Sequence, residues 1–87
     1  MKSTEIRQPG VVVMVHWVDA IIRQEVVKGD SLQPPMAATF GEVVEHTDAY
    51  IAVAHERFMN TEIKDEFRGV TTIPMGMVTD ITNLKPA

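Results

Sequence analysis

The chain has 87 residues and no cysteine, so it has room for one small domain and offers neither a disulfide framework nor a thiolate metal site. Hydrophobic residues make up 45% of the chain and charged residues 23%, which is typical of a folded globular protein and excludes a disordered one. The net charge of −4 argues against a large electrostatic footprint for nucleic acid, whereas a small local site is compatible with it.

The two ends of the chain carry no strand pattern. Residues 1–10 end in the turn sequence Gln-Pro-Gly, which predicts a flexible N-terminal arm, and residues 85–87 are expected to fray. We therefore place a single domain at 11–84.

A membrane partner is not expected. The longest apolar run, 11–15, is far shorter than the roughly 20 residues that a membrane helix needs, and the early acid Glu5 argues against a signal peptide. The expected location is cytoplasmic.

The first predicted element is VVVMVHWV at 11–18, which is rich in β-branched and aromatic residues and too short for a helix. It predicts a core strand buried largely on both faces, with Trp17 in the core or at a subunit interface. The next segment, 19–35, is compatible with a short helix that stops at Gly29 or with a pair of strands. The two prolines at 34–35 end it in both cases.

Segment 36–58 predicts one β-hairpin. Its first half, 36–46, contains Gly41, and a glycine inside a strand marks a bulge or a strong bend of the kind that a small barrel needs. A short polar turn at 47–49 separates it from a second strand at 50–58.

Two further strands are predicted after that hairpin. Residues 59–66 are polar and charged and predict an exposed loop, and residues 67–73 predict a strand. A last strand, 77–84, follows the Pro-Met-Gly turn at 74–76. The pattern predicts an all-β fold, a small and strongly bent five-stranded antiparallel barrel.

Two stretches, FGEVVEHTDAYIAVAHE at 40–56 and TTIPMGMVTDI at 71–81, resemble the two sequence motifs of Sm-like proteins. The first motif is matched by a glycine, a turn aspartate and apolar positions: Gly41, Val43, Asp48, Tyr50, Ile51 and Val53, with one extra residue between the glycine and the aspartate. The second is matched by Ile73, Gly76, Val78 and Ile81. The asparagine of the first motif is replaced by Ala52, and the arginine of the second by Pro74 and Met75.

The resemblance implies an SH3-type Sm-like barrel whose last two strands expose edges. An open edge invites pairing with another chain, so copies of the chain are expected to form a homo-oligomeric ring. It also implies binding of single-stranded nucleic acid, RNA or DNA with RNA preferred, as a chaperone or scaffold in RNA or DNA processing. The implied nucleic-acid site lies on the two turns and comprises His46, Asp48, Tyr50, Pro74, Met75 and Gly76. Two of these residues have a second interpretation: Asp48 can simply close its turn, and Tyr50 can be a packing residue rather than a stacking platform.

The overall pattern is also similar to short proteins of marine bacteriophages, for which the location would be the cytoplasm of the host cell. The similarity rests on Trp-Val-Asp at 17–19, the TDAYIAVAHE hairpin at 47–56 and the IPMGMV turn at 73–78. The alternative function is a structural or assembly protein, of phage origin, that acts only through protein contacts. The acidic net charge and the two replaced motif residues favour this alternative.

Catalysis is not expected. No serine has a histidine or an acid at an activating spacing, and no glycine run is suited to cradle a phosphate. The three histidines are predicted to lie too far apart to share a metal ion. We therefore expect no enzyme activity, no metal and no cofactor.

Overall fold

A computed structural model describes residues 5–20, 25–57 and 66–84. In these residues the chain forms one antiparallel sheet of five strands and almost no helix, and no helix there is long and apolar enough to cross a membrane. The strands are β1 (Val12–Val18), β2 (Met36–His46), β3 (Tyr50–Arg57), β4 (Phe67–Pro74) and β5 (Val78–Asn83), and a 3-10 turn, Met75–Met77, joins β4 to β5. The all-β prediction is confirmed.

The order of strands across the sheet is β4-β3-β2-β1-β5. Strands β1, β2 and β3 are therefore interior, and β4 and β5 are the two edges. Within the described residues the edges are not hydrogen bonded to each other, so the sheet is open. The predicted five-stranded antiparallel sheet is present, whereas its closure into a barrel is not observed.

Although the sheet is open, both of its edges contribute to one core. Ile73 of β4 and Ile81 of β5 belong to a single buried cluster together with residues of the interior strands: Val13, Val15, Val43, Ile51 and Val53. The connection between Pro74 and Val78 contains only three residues, so it spans at most about 14 Å. The sheet must curl for its two edges to approach that closely.

Strand β1 is buried on one face only. Val13 and Val15 are fully buried, whereas Met14 and His16 on the opposite face are half-buried and Val12 is exposed. The strand predicted at 11–18 is found between β2 and β5, but its outer face is not a core face. Among the described residues, no second layer of structure covers that face.

Trp17 lies near the end of β1 and is half-buried. Its ring packs against the buried cluster, and its Nε1–H donates a hydrogen bond of 2.9 Å to the Thr39 hydroxyl oxygen on β2. A partly exposed tryptophan usually finds such a partner for its N–H group. Trp17 therefore contributes to the core from its rim.

Gly41 allows β2 and β3 to approach closely. A Cβ atom at this position would lie 2.5 Å from Val53 Cγ1 and nearer still to the Ala54 carbonyl oxygen. Real Cβ atoms essentially never approach other heavy atoms below 3.0 Å. Only glycine fits here. The sequence predicts a bulge or a bend at this glycine, whereas the structure shows a close approach of β3 there, and the bulge of β2 lies between Val43 and Glu45.

Strands β2 and β3 form a hairpin around residues 47–49, as predicted. The register shifts between Val43 and Glu45, which is a β-bulge in β2. The bulge places His46 opposite Ile51, because one extra residue in one strand displaces all later pairs.

The segment 19–35 forms neither a helix nor a strand in its described part, which excludes residues 21–24. The Asp19 N–H group donates to the Pro35 carbonyl oxygen at 2.9 Å, which extends the β1–β2 ladder by one pair. Gly29 lies in a turn and has a φ of 99°. Residues in helices and strands rarely adopt this backbone conformation. Both predicted alternatives are therefore absent from the described part of this segment.

Three predicted features fall largely outside the described residues. They are residues 1–4 of the arm, the loop at 59–66 except for Glu66, and the tail at 85–87.

We expect Gly41→Ala to lower the free energy of unfolding by roughly 1–3 kcal/mol, the usual cost of overpacking a filled site. The backbone of β3 would have to move away to make room for the methyl group. Urea unfolding followed by circular dichroism measures the change.

Gly76→Ala is the matched control for this variant. No atom lies within 4 Å of the position that its Cβ would take, and its φ is not in the left-handed region. It should unfold within about 0.5 kcal/mol of the wild type. Equal unfolding midpoints for the two variants would contradict the close approach at Gly41.

Candidate functional site

The two turns predicted to form the site lie side by side at one end of the sheet. Tyr50 pairs with Pro74 across β3 and β4. The Met75 N–H group donates a hydrogen bond of 2.9 Å to the carbonyl oxygen of Ala49. We call residues 46–50 and 74–76 together the two-turn surface.

The predicted site residues differ in exposure. Asp48, Pro74 and Gly76 are exposed, Tyr50 and Met75 are half-buried, and His46 is buried. The Met75 side chain packs against the core cluster, so it is mainly a packing group. The parts of the surface that face solvent are backbone, the Asp48 carboxylate and part of the Tyr50 ring.

The first turn is closed by Thr47. Its hydroxyl oxygen accepts hydrogen bonds from the N–H groups of Ala49, at 3.1 Å, and Tyr50, at 3.2 Å. Its own N–H group donates to the carbonyl oxygen of Tyr50 at 2.8 Å. The turn-closing role considered for Asp48 is thus filled by the neighbouring hydroxyl, and the Asp48 carboxylate is exposed.

Tyr50 is held in place by a charged neighbour. Its hydroxyl group donates a short hydrogen bond to the Glu45 carboxylate on β2. This bond raises the pKa of Tyr50 above its ordinary value, and partial burial and the Glu45 charge act in the same direction. The bond restrains the ring before any ligand arrives.

The two-turn surface is acidic. Residues 46–50 and 74–76 contain Asp48 and no lysine or arginine, and Glu45 adjoins them. Nucleic-acid affinity comes largely from cationic side chains that neutralise phosphates. A ligand of this surface would therefore be recognised by stacking and by backbone groups.

His46 anchors the N-terminal segment. Its Nδ1 atom accepts a hydrogen bond of 2.8 Å from the Arg7 N–H group. Because a backbone N–H group can only donate, Nδ1 carries no proton, and the neutral ring carries its proton on Nε2. Burial lowers the pKa of His46, the Arg7 charge lowers it further, and Asp48 opposes these effects.

The second nitrogen of His46 is buried and has no hydrogen-bond partner among the described residues. The residue is only 7% exposed. His46 is therefore a buried residue next to the turn. The ligand contact predicted for it stays a prediction. No group of three or more His, Asp or Glu residues suited to a metal ion occurs in the described residues.

Arg7 is the residue of this region that the sequence predictions missed. Its Nη2 donates to the Ile81 carbonyl oxygen at 2.9 Å, its Nε to Asn83 Oδ1 at 2.9 Å, and its Nη1 to the Glu5 carbonyl oxygen at 2.6 Å. Residues 5–10, predicted as a flexible arm, are thus tied to β5 as well as to His46 of β2.

One sequence prediction does point to the contact of residues 5–10 with the sheet. The predicted Gln-Pro-Gly turn is formed: the Val11 N–H group donates to the Gln8 carbonyl oxygen at 3.3 Å, and Gly10 has a φ of 95°. Such a turn reverses the chain, and it folds Arg7 back over the strand ends.

Comparison of the chain with protein-family models, with curated proteins and with solved structures finds no match. The Sm-like resemblance therefore rests on residues 40–56 and 71–81 alone and enters below as part of a proposal.

We expect the free energy of unfolding to fall as the pH drops below about 6.5, the ordinary pKa of histidine. The folded state lowers the pKa of His46, so it binds fewer protons than the unfolded state. The resulting stability is fully present above the unfolded pKa and is lost as the pH falls through the folded pKa. Urea unfolding between about pH 7.5 and about pH 5 measures the slope.

The variant His46→Asn tests the cause of this slope. Its amide oxygen can replace Nδ1 as the acceptor for the Arg7 N–H group but does not titrate in this range. The variant should show a shallower dependence on pH. Identical slopes for the variant and the wild type would contradict the assignment to His46.

Proposed function

We propose that this chain is a self-assembling module that forms a homo-oligomeric ring, in which the β4 edge of one copy pairs with the β5 edge of the next. The observation that carries this proposal is the open sheet, whose two different edge strands each have a single neighbouring strand in the part of the chain that the structure describes. Edge strands present N–H and C=O groups ready for pairing. A contact between two different edges is head-to-tail and can close into a ring.

The register identifies the peptide groups of β4 that are available for pairing. The hydrogen bond between Met75 and Ala49 makes these two residues a hydrogen-bonded pair, and such pairs alternate along an antiparallel ladder. The regular β3–β4 register therefore directs the peptide groups of Val70, Thr72 and Pro74 away from β3. Pro74, which has no N–H group, lies at such an outward position, so the β3–β4 ladder loses no hydrogen bond there.

The assembly agrees with the Sm-like resemblance of the two motifs. We propose that the curvature is that of a small Sm-like barrel, because Ile73 and Ile81 of the two edges share one core. A chain of 87 residues has a small core, so burial between copies would add to its stability.

Thr72→Pro should weaken the assembly at least about tenfold, which corresponds to about 1.4 kcal/mol. The substitution removes one outward N–H group at an exposed position and leaves the β3 ladder intact. Analytical ultracentrifugation across a concentration series measures the association.

The control is Thr72→Ala, which removes the side chain but keeps the N–H group, and it should assemble like the wild type. Circular dichroism shows whether each variant is folded. A wild-type chain that sediments as a 9.7 kDa monomer at micromolar concentration would contradict the ring.

A second candidate function, binding of single-stranded nucleic acid with a preference for RNA, is supported by the adjacency of the two turns. A ring would repeat the two-turn surface around its opening, where the Tyr50 ring offers a face on which any base can stack. The protein would then act as a chaperone or scaffold in RNA or DNA processing. Because the surface contains no lysine or arginine, its affinity should depend only weakly on salt.

Tyr50→Ala should weaken binding of short labelled RNA about tenfold or more, because stacking contributes roughly 1–3 kcal/mol per base. Fluorescence anisotropy with RNA and DNA at several salt concentrations measures the binding. Tyr50→Phe keeps the ring and loses only the hydrogen bond to Glu45, so it should bind like the wild type. Unchanged binding by an assembled Tyr50→Ala variant would reject this surface.

The acidic character of the surface favours the alternative, an assembly protein that acts only through protein contacts. Asp48 and Glu45 would repel phosphates. If the wild type assembles and binds neither RNA nor DNA, this alternative is the function.

A further inference from the structure

The β5 edge is already occupied at one position by the protein's own N-terminal segment. The Leu84 N–H group donates to the Val12 carbonyl oxygen at 2.9 Å, which makes these residues a hydrogen-bonded pair. Alternation along the β1–β5 ladder then directs the peptide groups of Ile81 and Asn83 away from β1. Arg7 Nη2 lies 2.9 Å from that outward Ile81 carbonyl oxygen.

We propose that Arg7 is a removable guard of the β5 edge, which competes with an incoming β4 strand for the Ile81 carbonyl oxygen. This inference rests on the proposed assembly and adds its regulation. A partner strand can complete its ladder with β5 only after the guanidinium group has left. Assembly is therefore held back by an intramolecular contact, and displacement of Arg7 promotes it.

An arginine suits this role because of its donor geometry. The planar guanidinium group reaches three acceptors at once: the Ile81 carbonyl oxygen, the Asn83 amide oxygen and the Glu5 carbonyl oxygen. A lysine ammonium group lacks this fixed fork. A charged side chain on an edge also discourages pairing with another sheet.

The hydrogen bonds of the Arg7 guanidinium group can be broken without unfolding the sheet. All three acceptors of the guanidinium group are uncharged, and water can solvate the guanidinium group once it leaves, so each bond contributes only a fraction of its gross strength. Ile6, Gln8 and Pro9 beside it are exposed. A groove of about 550 Å³ is lined by residues of the segment and by the end of β2.

The segment stays anchored when the guanidinium group leaves. The Arg7 N–H group is bonded to His46 Nδ1, and the Gly10 N–H group is bonded to the Val43 carbonyl oxygen at 2.9 Å. Both anchors use backbone N–H groups of the N-terminal segment, those of Arg7 and Gly10. Substitution of the Arg7 side chain therefore removes the guard and retains the anchor.

The first experiment compares the association of wild type, Arg7→Ala and Arg57→Ala by analytical ultracentrifugation. Arg7→Ala should associate at about tenfold lower concentration, a change of about 1.4 kcal/mol. Arg57→Ala, the matched control, removes an arginine from interior strand β3 that contacts Glu42 and Phe67, and it should associate like the wild type. Arg7→Lys should shift association in the same direction as Arg7→Ala and replaces it if that variant does not fold.

A second experiment tests the guard without relying on the ring. A synthetic peptide with the β4 sequence GVTTIP, residues 69–74, is titrated into each isotope-labelled variant, and nuclear magnetic resonance follows the amide signals of Ile81 and Asn83. The peptide should bind Arg7→Ala about tenfold more tightly than the wild type.

The outcomes separate the two proposals. Tighter peptide binding by Arg7→Ala when no variant assembles would support the guard and reject the ring. Assembly of the wild type with equal or weaker association of Arg7→Ala would reject the guard and retain the ring. Absence of both assembly and peptide binding in every variant would reject both.

Discussion

The short connection between β4 and β5 is the constraint on which the rest of the structure depends. Three residues, Met75–Met77, join strands that lie at opposite ends of the sheet order. A flat sheet of five strands spaced roughly 4.8 Å apart would separate these edges by about 19 Å, which exceeds the reach of the connection. The sheet therefore curls, and the curl lets the valines and isoleucines of one face form a single core. At Gly41, β3 comes too close to β2 for any side chain.

The same curl also affects the outward peptide groups of the two edge strands. Because β4 and β5 face one core without pairing to each other within the described residues, each retains outward peptide groups. Arg7 bonds one of those groups on β5, while its own backbone is held by the buried, neutral His46 at the end of β2. A single residue thus connects an interior strand to an edge. Stability, the protonation state of His46 and the accessibility of the β5 edge are linked through it.

The chemistry of the two-turn surface explains why assembly is the stronger of the two proposed functions. Edge pairing requires only backbone groups, and the register supplies them on β4 at Val70 and Thr72. Nucleic-acid binding has to rely on the half-buried Tyr50 ring, which is restrained by Glu45 and flanked by the Asp48 carboxylate. Carboxylates repel phosphates, and the residues of the two-turn surface include no lysine or arginine. The guanidinium group of the neighbouring Arg7 is bonded to the β5 edge.

The sequence by itself determined the local features of this protein: the all-β character, the first strand, the hairpin around residues 47–49 and the turn at residues 8–10. Each depends on the preferences of residues that are close in the chain. Tertiary structure decided the rest, including the incomplete burial of the outer face of β1, the close approach of β3 at Gly41, the bulge that places His46 opposite Ile51, and the absence of regular structure in the described part of 19–35. It also decided the partners of Arg7, because His46 and Ile81 lie 39 and 74 residues away along the chain. No local pattern encodes which distant carbonyl or ring nitrogen a side chain will meet, since that depends on how the whole sheet curls.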